Sequence, residues 1–362
     1  MKIALVSQLF WPEVGAPSAR GLEMARVWRD QGHQVKIVTA FPNHPTGVIP
    51  EEYRGQTFMV EDVEGLEVFR SFIYATPNEG FVRRVLSHLS FMASSVVQTL
   101  PRLGDVDIIV ATSPPFFPVI SSLVFSLAKQ VPFIFEVRDL WPGVFEELGV
   151  IENPAVLGVL EQIELALYRQ ASRVVVVTDS FVEDIAGRGI PERKIEVVKN
   201  GVDLEFFRAV DGGNIYRDEF GVEADFIVSY LGTHGISQAL TSHIEAAEHL
   251  ADRDDIAFVF VGQGAEKDDL RALATEKGLE HVHFFGNQPK ERMPQLYSHS
   301  DACFVPLRDI PMFSSFIPSK IFEILDTQLT DMKIHNLVWD GVEGTHFNFS
   351  EDDGRRDLIA EA

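Results

Sequence analysis

Short apolar runs rich in β-branched residues alternate with longer helical stretches along most of this 362-residue chain. That alternation restricts it to parallel sheets joined by crossover helices. In the first half the strand candidates are Ile3–Val6, Val35–Thr39, Leu66–Phe69, Ile108–Ala111, Phe133–Val137 and Val174–Thr178, with helical stretches such as Ser18–Gln31 and Ala155–Ala171 between them. A turn-rich segment near Asn200–Asp203 closes this half. A second series follows at Phe226–Leu231, Ile256–Val261, Val282–Phe285 and Ala302–Val305. Two doubly wound units in succession predict a ligand cleft between domains; one large open α/β domain is the alternative. The expected division is 1–205, a partial second domain over 206–325, and an acidic tail over 326–362 whose one weak strand candidate is Asn336–Trp339.

The length allows two cores, and 46% hydrophobic residues with a mean hydropathy of +0.05 exclude a disordered chain. A formal charge of −23, from 31 basic and 54 acidic residues, opposes binding to nucleic acid, which needs clustered Lys and Arg. Such acidity also fits a salty cellular environment. The single cysteine, Cys303, sits in the apolar run ACFVPL and is expected in the core, which leaves no internal disulfide and fits a reducing compartment. MKIALVSQLFWPE lacks the features of a signal peptide. No apolar segment reaches spanning length, so the expected location is cytoplasmic, at most on the inner face of the cell membrane.

The string FIPSKIFEIL, Phe316–Leu325, places Lys320 and Glu323 three positions apart at a helix start, on one face. A cation and a carboxylate there suit a nucleotide sugar, the lysine meeting phosphate and the acid meeting ribose hydroxyls; an ordinary surface pair is the alternative. Gly15 and Ala16 follow the first strand, where backbone can approach a ligand and a helix N-terminus faces an anion. There is no GxGxxG: in GQGAEK, Lys267 occupies the third glycine position, against a nicotinamide or flavin enzyme. Asp105 and Asp107 form a DxD, open either as a metal site or as the loop before a buried strand. Arg138 and Asp139 stand at a strand's C-terminal end, as a substrate-facing pair or a structural one. Thr233, His234 and Gly235 occupy the corresponding place in the second series. Along 81–102, Arg83, Arg84 and His88 share a side while Phe91, Met92, Val96 and Val97 are apolar, which fits either a lipid interface or a packed domain helix.

The motifs FWPEVGAPSARG, EVRDLWPGVFEELGVI, VVVVTDSFVEDIAGRGIPERKIEVVKNGVDLEFF, LGTHGISQAL, FVFVGQGAEKDDL, FFGNQPKERMPQLYSHSDACFVPL and PSKIFEI, in this order from Met1 to about Leu325, resemble the retaining glycosyltransferases of family 4. The resemblance is nearest to bacterial enzymes of capsule, O-antigen and colanic-acid-type assembly. It implies an α/β GT-B fold, two doubly wound Rossmann-like domains facing a cleft, here with an incomplete second domain. The implied reaction moves a sugar from a nucleotide-sugar donor, UDP-linked, to a lipid-linked glycan acceptor, with retention and with no cofactor or required metal. By position, Gly15 and Ala16 would lie by the reacting end, and Thr233, His234, Gly235, Pro318, Ser319 and Lys320 by the diphosphate. Glu323 would meet the ribose, and Asn287 and Gln288 would lie near the base. Arg138 and Asp139, grouped with Lys320 and Glu323 as catalytic, occupy the place where many relatives have His–Asp. Ser315 stands where many have a second glutamate. After Leu325 the chain departs from the family pattern. Two rivals follow: an inactive remnant that binds acceptor or membrane, and a nucleotide-sugar epimerase of the same fold.

Overall fold

The structure is a computed structural model. It describes residues 1–329 apart from 14, 45, 78–80, 152, 312, 314 and 315, with only the backbone of Phe81, Gln328 and Leu329. The strand expected at Asn336–Trp339, most of the acidic tail and Ser315 lie outside the described residues. The chain divides into two compact units, Met1–Val198 and Lys199 onward. The division precedes residue 205, since Val202 already packs against the second unit's core together with Phe206 and Phe207, the last with its ring 6.3 Å from that of Tyr297.

The first unit holds an eight-stranded sheet of β1 (Lys2–Val6), β2 (Gln34–Ala40), β3 (Phe58–Val63), β4 (Leu66–Ser71), β5 (Ile108–Ser113), β6 (Phe133–Val137), β7 (Arg173–Val176) and β8 (Ile195–Val197). Their order is β3-β4-β2-β1-β5-β6-β7-β8, and only β3 runs antiparallel, to β4. Sequence patterning missed β3 and β8: β3 is an edge strand carrying Glu61 and Asp62, and β8 is three residues long. The β3–β4 hairpin closes through Glu64 and Gly65, both at positive φ (55° and 80°), the geometry a two-residue hairpin loop requires. The central strand is apolar on both faces, Ala4 and Leu5 being fully buried, as a sheet covered by helices on each side demands.

The second unit builds a four-stranded parallel sheet from β9 (Phe226–Leu231), β10 (Ile256–Val261), β11 (Val282–Phe285) and β12 (Ala302–Cys303), in the order β11-β10-β9-β12. β12 is shorter than the expected Ala302–Val305. The helix Lys320–Leu329 continues through Asp326, where the tail was expected to begin. Its Ile324 packs with Leu296 and Tyr297 in the core, and burial of such a side chain is worth about 1.5–3 kcal/mol. Strand order reverses beside β1, between β2 and β5, and again beside β9, between β10 and β12. Ligands of doubly wound sheets bind at the carboxyl ends of strands flanking such a reversal.

Candidate functional site

In the second unit, the turn after β9 and the loop after β10 are joined backbone to backbone. Gly232 N donates to Val261 O (2.9 Å), His234 N to Gln263 O (3.0 Å), and Glu266 N to His234 O (3.0 Å). Glycine is what permits this approach. A Cβ on Gly262 would stand 1.9 Å from Gly232 O, and one on Gly264 would stand 2.1 Å from His234 O. Lys267, the residue that spoils a dinucleotide fingerprint, is buried and donates to Gly262 O (2.7 Å) and Phe285 O (2.5 Å), tying the ends of β10 and β11 together.

Lys320 opens its helix and reaches the end of β9. Its Nζ donates to Leu231 O (3.1 Å) and to the Tyr230 hydroxyl (3.3 Å), and lies 4.3 Å from the centre of the Tyr230 ring. The Tyr230 hydroxyl in turn donates to Thr233 O (2.7 Å). A Cβ on Gly232 would come within 2.6 Å of Lys320 Nζ, so this glycine makes room for the ammonium. Burial lowers Lys320 to about 8, with Glu323 and Cys303 opposing the shift. On the same helix face, Glu323 accepts from the Tyr297 hydroxyl (3.0 Å). Pro318 and Ser319 form the turn into the helix, their carbonyls accepting from Ile321 N and Phe322 N (both 3.1 Å).

Lys320, Glu323, Thr233 and Gly235 therefore gather around the end of β9, with Thr233 exposed. His234, expected as part of the 233–235 loop, belongs to that loop through its backbone, and its side chain turns into the core. It is fully buried, its ring faces Tyr230, Phe260 and Phe284, and both ring nitrogens lack hydrogen-bond partners among the described residues. Burial first, then Lys267 and Lys320, push it down to about 4, so it is a neutral ring in an aromatic wall. Asn287 is exposed, and Gln288 accepts from Arg292 (2.9 Å). Tyr230 and Tyr297 escaped the sequence reading as apolar pattern positions, and Lys267 entered it only as the residue in the third glycine position.

In the first unit, Gly15 (φ 151°) caps the helix Ala16–Asp30, and both Gly15 and Ala16 are exposed. The preceding loop is held by Glu13, whose Oε1 accepts from Asn43 N and His44 N (both 2.8 Å) and whose Oε2 accepts from Phe10 N (3.4 Å). Burial pushes Glu13 up to about 7 against these bonds. Arg138 and Asp139 follow β6. Burial lowers the Arg138 guanidinium, with Glu136 opposing, and lifts the Asp139 carboxyl, with Arg138 opposing. Arg138 Nε and Nη1 are buried without partners among the described residues, while neighbouring Glu136 is held by Arg20 at 2.6 Å. The DVD segment serves the opposite end of the sheet: Asp107 accepts from Lys2 N (2.7 Å) and Asp105 pairs with Lys2 Nζ (3.6 Å). Among the described residues no group of three or more His, Cys, Asp or Glu is placed to hold a metal ion.

The helix Phe81–Ser94 splits the expected basic side. Arg83 is exposed, but His88 turns inward to Gln8 Oε1 (2.9 Å), and burial lowers it to about 4. Phe91 is fully buried, whereas Val82, Leu86 and, beyond the helix, Val97 are 68%, 51% and 72% exposed. Among the described residues no helix is long and apolar enough to cross a membrane.

Comparison with known proteins places these features in a lineage. The family model for a glycosyl transferase 4-like domain matches residues 15–201, and that for glycosyl transferases group 1 matches residues 215–312. The chain is 24% identical over 333 residues to WcaI of Escherichia coli (strain K12), a protein assigned to colanic acid biosynthesis as a glycosyl transferase; the match covers 90% of this chain and 81% of that one. It is also 24% identical over 206 residues to the alpha-galactosylglucosyldiacylglycerol synthase of Streptococcus pneumoniae, covering 53% of each. Among solved structures, Anabaena HepE in complex with UDP-glucose matches at a TM-score of 0.62 and 18% identity, over 90% of this chain and 78% of that one. WaaG, a glycosyltransferase of lipopolysaccharide biosynthesis, matches at 0.61 and 15% identity, over 90% and 79%.

Proposed function

This chain belongs to the glycosyl transferase 4-like family with a GT-B-type fold, and from that premise we propose that it transfers a sugar from a nucleotide-sugar donor to a lipid-linked glycan acceptor, with retention, in surface polysaccharide assembly. The observation that carries this reading is the convergence of Lys320, Glu323 and the Gly232–Gly235 turn at the carboxyl end of β9. An ammonium has three donors; two of those on Lys320 are engaged by Leu231 O and Tyr230 Oη, and the third suits a diphosphate oxygen. Glu323, held by Tyr297, suits the ribose hydroxyls.

The donor's anomeric C–O bond breaks and its electron pair leaves with the diphosphate, whose developing charge Lys320 stabilises. An acceptor hydroxyl forms the new C–O bond on the same face, and its proton passes to the departing phosphate oxygen. In the first unit, Arg138 and Asp139 are the candidates to orient the acceptor, with Gly15 and Ala16 by the reacting end. HepE has been captured with UDP-glucose, which supports a UDP-linked donor. The exposed Val82, Leu86 and Arg83 support peripheral contact with a membrane bearing the acceptor. The relatives found are transferases, which favours neither the remnant nor the epimerase reading.

Calorimetric titration of UDP and GDP into the protein tests this. Binding of one nucleotide is expected, weakened at least about tenfold in Glu323→Ala or Lys320→Ala, as loss of a bond to a charged group implies. Transfer from the matching sugar donor is expected with the anomeric configuration kept. A folded protein that binds neither nucleotide sinks the reading.

A further inference from the structure

We propose that Tyr230 is a positioning residue of the diphosphate site, its single hydroxyl fixing Lys320 and the Gly232–Gly235 turn in one register. The proposal rests on the donor-site reading above and deepens it. The hydroxyl spends its proton on Thr233 O (2.7 Å) and presents its lone pairs to Lys320 Nζ (3.3 Å). The phenol ring lies beneath the same ammonium at 4.3 Å, where a cation is attracted to the ring face. One side chain thus touches both the charged group and the backbone of the turn that faces the ligand.

The chemistry requires a tyrosine in its neutral form. Burial holds the phenol well above its ordinary range, so the hydroxyl keeps the proton that bonds Thr233. Phenylalanine would preserve shape and ring face but lose both hydrogen bonds, leaving the ammonium only Leu231 O and its titratable neighbours. Those neighbours are Glu323 and Cys303, which favour the ammonium, and the neutral ring of His234, which does not compete for it. An acceptor bond from the phenol stabilises the charged lysine, so its loss lowers the pH at which Lys320 discharges.

The test is UDP titration of the full chain between pH 6 and 9, comparing wild type, Tyr230→Phe and Lys320→Ala. Tyr230→Phe is expected to weaken UDP binding about three- to tenfold at pH 7, the range of losing the one hydrogen bond that the hydroxyl makes to the ligand-facing Lys320. Its alkaline fall in affinity is expected to begin at lower pH than in wild type, a shift that loosened packing alone would not produce. If Lys320→Ala weakens binding while Tyr230→Phe keeps both affinity and alkaline limb, the positioning role is wrong and the donor site stands. Wild-type affinity in Lys320→Ala, or no UDP binding by wild type, overturns the donor site and this role with it. Should Tyr230→Phe misfold, the wild type still tests the contact between Lys320 and Tyr230 on which the role depends. With lysine side chains labelled with 15N, the Lys320 ammonium signal, assigned by its loss in Lys320→Arg, is expected upfield from the shielding ring face. An unshifted signal overturns the proposal.

Discussion

Burial lowers both Lys320 and His234, but of the two side chains only the lysine keeps polar partners among the described residues. Lys320 retains Leu231 O and Tyr230 Oη, whereas both nitrogens of His234 are stranded among aromatic rings. A buried polar group without a partner costs about 1–3 kcal/mol. His234→Leu is therefore expected to raise stability by about 1 kcal/mol, a gain of about 2–4 °C in the melting midpoint of a unit this size; a lower midpoint would contradict the account. Lys320 and Glu323 were legible in the sequence because helical spacing alone puts them on one face. The aromatic surroundings of His234 were not, since its ring neighbours come from three different strands, β9, β10 and β11. Tyr230 was hidden as well: in FIVSYL it reads as one more strand residue, and its reach to Lys320 joins positions ninety residues apart.

At the scale of elements, the sequence announced strands that are buried on both faces and concealed those at the sheet edge. β1, β5, β6, β9 and β10 are near-continuous apolar runs, but β3 carries acids at an edge and pairs antiparallel. The helix Phe81–Ser94 shows the same limit. Its mixed composition allowed either a packed or a lipid-facing role, and the structure divides it between the two, with Phe91 and His88 inward and Val82, Arg83 and Leu86 outward. Because His88 and the half-buried Arg84 are not on the exposed strip, the charge available to an anionic membrane is smaller than the sequence suggested. Apolar insertion must then supply the greater part of any binding. Flotation with anionic liposomes is expected for the wild type and expected to be lost in Val82→Asp with Leu86→Asp, with Arg83→Glu showing a smaller effect. Equal flotation of all three would assign this helix to packing alone.

At the scale of the whole molecule, the buried titratable groups oppose one another between the two units. In the first unit, burial pushes Glu13 and Glu164 up to about 7 and His88 down to about 4. In the second, burial pushes His234 and His243 down to about 4. A raised carboxyl contributes stability that is fully present below its unfolded value near 4.5 and is lost as pH rises through 7. A lowered histidine contributes stability that is fully present above its unfolded value near 6.5 and is lost as pH falls toward 4. Each proton held differently by the folded and unfolded states changes stability by about 1.4 kcal/mol per pH unit. Acidification from pH 7 to 5 should accordingly stabilise the first unit, where the raised carboxyls of Glu13, Asp139 and Glu164 outnumber the lowered His44 and His88, and destabilise the second, where the lowered His234, His243, His283 and His299 outnumber the raised Glu266 and Asp326. Three of the four tryptophans, Trp11, Trp28 and Trp141, lie in the first unit, so their fluorescence follows its unfolding in guanidinium. Hydrogen exchange in peptides from β9 and β10 follows the second. The first midpoint is expected to rise and the second to fall on acidification; midpoints that move together would show that the two units unfold as one, or that these buried groups do not govern their stability.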